Sequence, residues 1–501
     1  MTDQREAVRS NAKYLRNVRP IDPEEIHEYV EGTPHPAVVR QILREEAADL
    51  ELIEREDGTF VPVSEEPVSP RRGPVEELPA DYEHALEELL VERYGVDWED
   101  GASGDLLRSA IRRFKARYLA GHAVEYDDDV AAGYAIYHLP PYYAAIQYAL
   151  DDLADRGLLD RTLRVLDVGA GVGGPALGLA DYLPDDALLD YHAVEPSAAA
   201  DVLEELLAET GPNVHATIHR TTAEAFDPAD ALGDADGESA FDPTAPDDGF
   251  DLVLCCNVLS ELEEPAAVAR LLLESLAPDG TMLAMAPADK NTSIQLRELE
   301  RELEDERLGD TEADDDGGRV TVYGPAVRFW PGERPTDRGW SFDARPDLAV
   351  PSFQQRLDEA TPAADDDHDP GEFVNVDVQF SYSLLRLDGT RRIDLSLDAG
   401  EWARMAEMDR HVTNRIDLVA AKLSRSLSDG PDANPLFKIS DGSEAVDHYA
   451  VVTNETALNR DLLEADYGDA LAFESVLALW NDDEGAYNLV VDEETVVDRL
   501  A

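Results

Sequence analysis

The sequence predicts an α/β fold in which a Rossmann-like core lies between an N-terminal helical domain and a C-terminal β-barrel. The chain has 501 residues. A single hydrophobic core does not grow to this size, so several domains are expected. Helical and extended segments alternate from about residue 140 to about residue 286, which predicts a parallel sheet with helices on both faces. Short extended segments recur after about residue 400, as is typical of a small barrel.

These patterns divide the chain into four segments: residues 1–125 are the helical domain, 126–310 the core, 311–400 an extension and 401–501 the barrel. In the first segment, IDPEEIHEYVEG and PHPAVVRQILREEAADL have helical spacing, and LELIEREDGTFVPV predicts two short strands joined by an Asp-Gly turn. This order is that of a winged helix, although a small helical cap with an incidental hairpin explains it equally well. SEEPVSPRRGPVEELP is predicted to be a linker.

The segment DLLRSAIRRFKARYLAGH predicts a helix that is rich in cations. These cations are Arg108, Arg112, Arg113, Lys115 and Arg117. At helical spacing, Arg108, Arg112 and Lys115 share one face. Two interpretations stay open: the cations pair with the chain's own carboxylates, or they contact RNA.

The chain as a whole is strongly acidic, with 109 Asp and Glu, 42 Lys and Arg, and a formal net charge of −67. Such a charge ordinarily argues against nucleic-acid binding. The acidic residues are, however, spread through every segment and lysines are few, which resembles the proteins of extreme halophiles, where molar salt screens self-repulsion. The net charge therefore indicates a salt-rich solvent and says little about which partners the protein binds.

The sequence also bears on where the protein acts. The only cysteines, Cys255 and Cys256, are adjacent in the apolar run FDLVLCCNVL, so they predict small core residues and no disulfide framework. No stretch approaches the ~18 apolar residues of a membrane span, and the first residues lack an apolar signal core. We expect a cytoplasmic protein with neither a membrane nor a DNA partner.

The predicted strands of the core are LRVLDVG, LLDYHAVEPS, NVHATIHRTTAE, FDLVLCCNV and TMLAMAP. YYAAIQYALDDLADRG predicts an amphipathic helix before the first strand, and GGPALGLADYLP, ADVLEELLAETG and EPAAVARLLLESLAP predict helices between strands. Residues 227–249 are acidic and are interpreted as a solvated loop.

A glycine loop follows the first core strand. Gly169, Gly171 and Gly174 satisfy G-x-G-x-x-G, which by itself also fits a dinucleotide site. Asp167 precedes the loop, where its carboxylate would repel a pyrophosphate but can hold the ammonium of a methionine moiety. Glu195 ends the second strand, where a carboxylate can accept hydrogen bonds from ribose hydroxyls of either cofactor.

The rest of the core discriminates between these cofactors. FDLVLCCNVLSEL and LLESLAPDGTMLAM resemble the fourth and fifth strands of class I methyltransferases, which implies S-adenosylmethionine. The predicted cofactor-binding residues are Asp167, Gly169, Gly171, Gly173, Glu195 and Asn257. The glycines allow backbone to approach the ligand closely. A methyltransferase fold that has lost its ligand is the alternative.

No catalytic residue is assigned. The N-P-P-Y signature of many base N-methyltransferases is absent, because Asn257 is followed by Val258, Leu259 and Ser260. A missing base does not exclude methyl transfer, which can proceed largely by positioning.

YAIYHLPPYYAAIQYAL, NVLSELEEP and FSYSLLR resemble the methyltransferase-like family associated with the mitochondrial small ribosomal subunit, including its archaeal and bacterial relatives. The resemblance covers about residues 134–386 and implies a role in small-subunit rRNA modification or assembly. It also implies a cysteine cluster that binds iron and sulfur, yet the matching positions here are Ala326, Thr336, Gly339 and Ser440. Without thiolates no such cluster can form. Trp330, Trp340 and Phe342 are the expected apolar anchors of that segment.

Five extended segments and one helix follow the linker ATPAADDDHDPGEF, which is the pattern of an OB-fold, a common oligonucleotide-binding barrel. The strands are RIDLVAAKLSRSL, PLFKISDG, HYAVVTN, DALAFESVLALWN and GAYNLVVDEETVV, and the helix is NRDLLEADYG. The expected exposed residues are Lys422, Arg425, Lys438 and Tyr449. A barrel that packs only against its neighbour is the alternative.

Three functions remain open from the sequence. The leading hypothesis is a methyltransferase-like protein that acts on rRNA or the assembling small ribosomal subunit. The second is a non-catalytic assembly factor that binds the cofactor, and the third is a methyltransferase for small molecules or proteins.

Overall fold

A computed structural model describes residues 2–232, 249–308, 318–325, 327–363, 365, 368–428, 430 and 433–500. The described residues form two compact units. The first unit contains residues up to 232, 249–254 and 346–378, and the second contains 255–345 and 379–500. Ala326 lies outside the described residues, as does most of the acidic loop predicted at 227–249.

The first unit begins with helices and a β-hairpin. These elements are α1 (Thr2–Leu15), α2 (Pro23–Ile26), α3 (Pro36–Glu45), α4 (Ala47–Leu50), β1 (Leu52–Glu54) and β2 (Phe60–Pro62). β1 and β2 pair antiparallel across the Asp57-Gly58 turn, and Ile21 forms an isolated antiparallel bridge with Phe60. A helix, a bridging residue, three further helical segments and a hairpin follow one another, an order that fits both a winged helix and a helical cap with a hairpin.

The parallel sheet of the first unit follows three further helices. Its helices and strands are α5 (Ala80–Tyr94), α6 (Gly101–Leu119), α7 (Asp128–Ala154), β3 (Thr162–Val168), α8 (Gly174–Tyr182), β4 (Leu188–Val194), α9 (Ala199–Leu207), β5 (Val214–His219), α10 (Ala229–Leu232) and β6 (Phe250–Cys256). The strand order is β5-β4-β3-β6, and each neighbouring pair is parallel, as the alternating pattern predicted. The last residues of β6, Cys255 and Cys256, belong to the second unit, where both are buried.

The chain continues through the second unit, returns to the first and ends in the second. The elements are α11 (Pro265–Glu274), β7 (Leu276–Pro287), α12 (Lys290–Leu303), β8 (Thr321–Gly324), β9 (Asp343–Arg345), α13 (Ser352–Glu359, first unit), β10 (Val378–Arg386), β11 (Arg415–Lys422), β12 (Leu436–Ser440), β13 (His448–Val452), α14 (Asp461–Glu464), β14 (Ala470–Asn481), β15 (Ala486–Val491) and β16 (Val496–Arg499). In the second unit, β10 pairs antiparallel with both β7 and β8, and it also pairs with β9.

The C-terminal strands close a five-stranded barrel. The order is β11-β12-β13-β15-β14, and β14 pairs with β11 to complete the ring. β13 and β15 are parallel and α14 lies between β13 and β14, so the OB-like prediction is confirmed. The segment GAYNLVVDEETVV forms two strands, β15 and β16, rather than one. Phe437, Leu471 and Phe473 are among the buried residues of the barrel core.

Helix α7 differs from its prediction. It starts at Asp128, well before YYAAIQYALDDLADRG, and it is buried on nearly all sides rather than amphipathic. Pro140 and Pro141 lie inside it, where proline removes the N–H groups that would bond to the carbonyls four residues earlier. Gln354 Nε2 donates to the carbonyl of Ile136 at 2.7 Å, and Asn375 Nδ2 donates to that of Tyr137 at 3.0 Å. Side-chain amides from elsewhere in the first unit therefore replace the missing donors.

Both predicted linkers pack within the first unit. In residues 64–79, Val68 and Val75 are buried, and Arg71 forms an ion pair with Asp151 at 2.6 Å. In the second linker, Phe373 is buried. Within the described ranges, no helix combines the length and apolarity needed to cross a membrane.

Candidate cofactor site

The glycine loop is the turn between β3 and α8. Gly169, Gly171 and Gly173 all adopt positive φ, at 72°, 55° and 93°, a region that side chains with a Cβ rarely enter. A Cβ on Gly173 would lie 2.6 Å from Leu203 Cδ1, so this glycine also lets α9 pack closely. At Gly171 a Cβ would meet only the Gly169 carbonyl oxygen within 4 Å, at 3.9 Å. The space over Gly171 is where a ligand can approach the backbone.

Asp167 lies on β3, just before this loop, and is fully buried. Its Oδ2 accepts a hydrogen bond from the Tyr191 hydroxyl at 2.6 Å, whereas its Oδ1 has no hydrogen-bond partner among the described residues. Burial, more than the nearby charge of Glu195, raises the pKa of Asp167 to about 7, although the Tyr191 hydrogen bond opposes the rise. An acceptor in this state is suited to a cationic donor such as an ammonium, because a buried unpaired oxygen costs ~1–3 kcal/mol.

Glu195 joins the end of β4 to the loop. Its Oε2 accepts from the Gly171 N–H at 2.9 Å, and its Oε1 accepts from the Ser197 N–H at 2.9 Å and from the Ser197 hydroxyl at 2.6 Å. The carboxylate is therefore held in one orientation. Ser197 uses both lone-pair directions of Oε1, but Oε2 accepts only one of these bonds, so its second lone-pair direction can accept from a ribose hydroxyl.

Asn257 lies in the second unit, directly after β6. It adopts a left-handed φ of 63°, and its backbone N–H donates to the Met285 carbonyl at 3.0 Å. Cys255 is fully buried and Cys256 nearly so, which agrees with a core role for both. The structure thus brings Asp167, the loop glycines and Glu195 together within the first unit.

Two contributors to this site were missed in the sequence. Tyr191 contacts Asp167 because the register of β3 and β4 places its ring there, and no local pattern specifies that register. Ser197 orients Glu195, and the spacing Glu-Pro-Ser is a signal that could have found it.

Most cations of α6 are engaged within the first unit. Arg112 forms ion pairs with Glu372 at 2.6 Å and with Asp365 at 2.9 Å, and the buried Arg108 donates to the Leu357 carbonyl and to Asp105. The interpretation of intramolecular pairing therefore holds for these two arginines. Arg113 is about half exposed and makes one longer ion pair, at 3.3 Å, and Arg117 is exposed and donates to a carbonyl.

Most of the barrel residues that were expected to be exposed are buried or partly buried. Lys422 and Lys438 are buried, at 5% and 2% exposure, so the sequence prediction was wrong for both. Lys422 Nζ donates to the Ala465 carbonyl, and Lys438 Nζ pairs with Asp447 Oδ1 at 2.5 Å. The outward face of β12 is covered by the chain's own segment around Gly339, whose Cβ position lies 2.8 Å from Lys438 Nζ. Arg425 is exposed.

Thr336 and Ser440, two of the positions that stand in place of cysteines, lie near each other in the second unit. The Thr336 N–H donates to the Gly442 carbonyl at 2.7 Å, and the Gly442 N–H donates to Ser440 Oγ at 3.0 Å. The anchors behave as expected: the Trp330 indole donates to Asp441, and the Trp340 and Phe342 rings stack at 4.9 Å. Hydrogen bonds and aromatic packing hold this segment.

Comparison with known proteins adds the following. Residues 166–282 match the family model described as Methyltransferase domain. Residues 5–56 match the N-terminal domain, and residues 406–500 the C-terminal domain, of a Domain of unknown function (DUF8157). None of the curated proteins matches the chain.

Several solved structures are similar to parts of the chain. An arsenic (III) S-adenosylmethionine methyltransferase from Chlamydomonas reinhardtii is 25% identical over 25% of this chain and 38% of its own, with a TM-score of 0.20. A putative S-adenosylmethionine-dependent methyltransferase from Methanococcus maripaludis is 13% identical, with a TM-score of 0.24, and the match covers 32% of this chain and 65% of that protein. The plantazolicin methyltransferase BpumL in complex with SAH is 16% identical, with a TM-score of 0.22, and the match covers 43% of this chain and 64% of that protein. Each is matched over less than two thirds of its length.

Because residues 166–282 match the Methyltransferase domain model and the parallel sheet has the order β5-β4-β3-β6, the core is a class I methyltransferase domain, and its cofactor is S-adenosylmethionine. The residues present fit this group: an unpaired buried carboxylate oxygen suits its amino group, and open space over Gly171 suits close approach. Asp167 and the loop would hold the methionine moiety, and Glu195 the ribose. These residue assignments, like that of Asn257, stay predictions.

Proposed function

We propose that the protein is an S-adenosylmethionine-dependent methyltransferase that acts on RNA of the small ribosomal subunit or on its assembly intermediates. The observation that carries the methyltransferase part is the glycine loop over Asp167, whose buried Oδ1 accepts no hydrogen bond from the described residues. The sequence resemblance described above supports the ribosomal substrate. A cytoplasmic location in a salt-rich cell agrees with the spread of acidic residues.

The charge distribution of α6 supports an RNA substrate. Residues 106–124 contain no Asp or Glu, in a chain with 109 of them. Arg113 and Arg117 are the exposed cations of this segment, and exposed arginines suit the binding of phosphates. The OB-like barrel is a second supporting feature, but its buried lysines leave α6 as the stronger one.

The first experiment tests methyl transfer. Immature small subunits are incubated with methyl-labelled cofactor in concentrated KCl, and label is measured in the extracted RNA. We expect label with the wild type and none with Glu195→Gln, because an amide would turn a donor towards the Gly171 or Ser197 N–H. Glu209→Gln, an exposed position after α9, is the control. Particle binding without label would favour the non-catalytic assembly factor instead.

The second experiment tests RNA binding by α6. The double variant Arg113→Glu, Arg117→Glu is compared with wild type by the salt dependence of its RNA affinity. The slope of log K against log salt is negative, and loss of two phosphate contacts should make it less steep by about 1.4 for single-stranded RNA. Arg410→Glu, an exposed arginine of the second unit, is the control. An unchanged slope would contradict the role of α6 in RNA binding.

A further inference from the structure

Helix α7 presents aromatic side chains beside the glycine loop. A Cβ on Gly174, the first residue of α8, would lie 2.9 Å from Tyr142 Cβ. The carbonyl of Tyr126 accepts a hydrogen bond from the Ala198 N–H at 3.4 Å, immediately after the Ser197 that orients Glu195. All of these residues belong to the first unit. Tyr142 of α7 therefore adjoins the glycine loop, and Tyr126, just before α7, adjoins the segment that orients Glu195.

Three of the rings form a stripe along α7. Tyr134, His138 and Tyr142 are spaced four residues apart, so they share one face of the helix. The His138 and Tyr142 rings stack with centroids 5.0 Å apart and an 11° angle between planes, and the Tyr134 and His138 centroids are 4.6 Å apart. All three residues are only partly buried. We call these three residues the aromatic stripe.

The His138 ring of the aromatic stripe carries no charge near neutral pH. Burial of the imidazole and, second, the nearby Lys115 lower the pKa of His138 to about 3, so its ring is neutral. A neutral ring stacks on flat ligands as tyrosine does, and it does not repel a sulfonium cation. Asn375 Nδ2 lies 3.5 Å from His138 Nδ1 and limits how the ring turns.

One cation, Lys115, lies near the stripe on the side of α6. Phe114 packs against both Tyr134 and His138, at 5.6 Å and 5.5 Å between centroids, and the next residue, Lys115, has its Nζ 4.3 Å from the centroid of the Tyr137 ring. A cationic methyl acceptor would be repelled by Lys115. A nucleobase suits the rings, and its phosphate suits the Lys115 ammonium.

We propose that Tyr134, His138 and Tyr142 bind one unpaired nucleobase of the RNA substrate by stacking, beside the predicted cofactor site. This inference rests on the proposed RNA methyltransferase function and assigns its substrate site. Unpaired bases offer a free π-face, whereas paired bases in an RNA helix do not. The site therefore selects single-stranded or extruded bases.

The test measures two affinities for each variant. The probes are a fluorescent single-stranded oligoribonucleotide of mixed sequence, followed by anisotropy, and S-adenosylhomocysteine, followed by calorimetry. We expect Tyr134→Ala and His138→Gln to bind the oligonucleotide at least about fivefold more weakly, since stacking contributes ~1–3 kcal/mol per base. Their affinity for S-adenosylhomocysteine should not change. Tyr14→Ala, which removes a tyrosine of the first unit that is 77% exposed, should change neither affinity.

The outcomes separate this inference from the proposed function. If the wild type binds both probes and the two variants bind the oligonucleotide as well as it does, the aromatic stripe is not the base site. If the wild type binds S-adenosylhomocysteine but no RNA, the proposed substrate fails and the stripe assignment fails with it. If the wild type does not bind S-adenosylhomocysteine, the methyltransferase function fails. If Tyr134→Ala does not fold, the oligonucleotide affinity of the milder variant His138→Gln tests the stripe assignment by itself.

Discussion

At the scale of single residues, the predicted cofactor site depends on how Asp167 and Glu195 are held. Both are buried carboxylates at the ends of neighbouring strands, but only Glu195 has both oxygens bonded. Residue type and position, just before the glycine loop for Asp167 and at the end of the second strand for Glu195, were enough to predict both as site residues. Their different roles follow from hydrogen bonds to Tyr191 and Ser197, which only the folded chain creates.

The raised pKa of Asp167 predicts that cofactor-site affinity depends on pH. An ammonium favours the ionised carboxylate, so binding must displace a proton when the pH is below the pKa of about 7. We expect the affinity for S-adenosylhomocysteine to rise by up to about tenfold per pH unit towards pH 7 and then to level off. Calorimetry between about pH 5.5 and 7.5 measures this.

Asp167→Asn provides the check on this assignment. The variant should bind more weakly at pH 7.5 and lose the pH dependence below pH 7, because the amide does not titrate. The sign for folding without ligand is opposite: a carboxyl whose folded pKa is raised stabilises the protein less as the pH rises from about 4 to about 7. A wild-type affinity that does not vary over this range would contradict the prediction.

At the scale of elements, α7 shows how distant residues determine a local structure. The Pro140-Pro141 pair would ordinarily end or kink a helix. Gln354 on α13 and Asn375 supply the hydrogen bonds that the prolines cannot, so the helix continues through Ala154. The same helix then carries the aromatic stripe to the glycine loop.

Gln354→Ala is therefore expected to destabilise the first unit. The substitution leaves the buried carbonyl of Ile136 without its 2.7 Å donor. Loss of a buried hydrogen bond of this kind costs ~1–3 kcal/mol. Denaturant unfolding in KCl measures the change, and Gln355→Ala, at the exposed neighbouring position, should have little effect. Equal stability of the two variants would mean that the prolines need no compensation from Gln354.

At the scale of the whole molecule, the net charge of −67 dominates the response to solvent. Many carboxylates are paired with arginines, as in the Arg112 pairs with Glu372 and Asp365, but the excess of acidic residues leaves strong self-repulsion. The Debye length falls from about 10 Å at 0.1 M salt to about 3 Å at 1 M. Salt should therefore stabilise the folded chain.

We expect the melting temperature to rise between about 0.1 M and about 1 M KCl, because screening weakens repulsion between carboxylates. Calorimetric melting measures the change. Sucrose, which raises stability by exclusion without screening charge, is the control and should not remove the dependence on KCl. A melting temperature independent of KCl would contradict the interpretation of the charge as an adaptation to salt.

The sequence by itself determined the alternating core, the five-stranded barrel and the glycine loop with its two carboxylates. These follow from local signals: apolar periodicity, turn residues and glycines where backbone adopts positive φ. Tertiary structure alone decided that Lys422 and Lys438 are buried, that Arg108 and Arg112 are paired, and that α7 continues through two prolines. The reason is physical: burial and hydrogen bonding of a side chain depend on residues far away in sequence, and strand register or helix packing brings those residues near only when the chain folds.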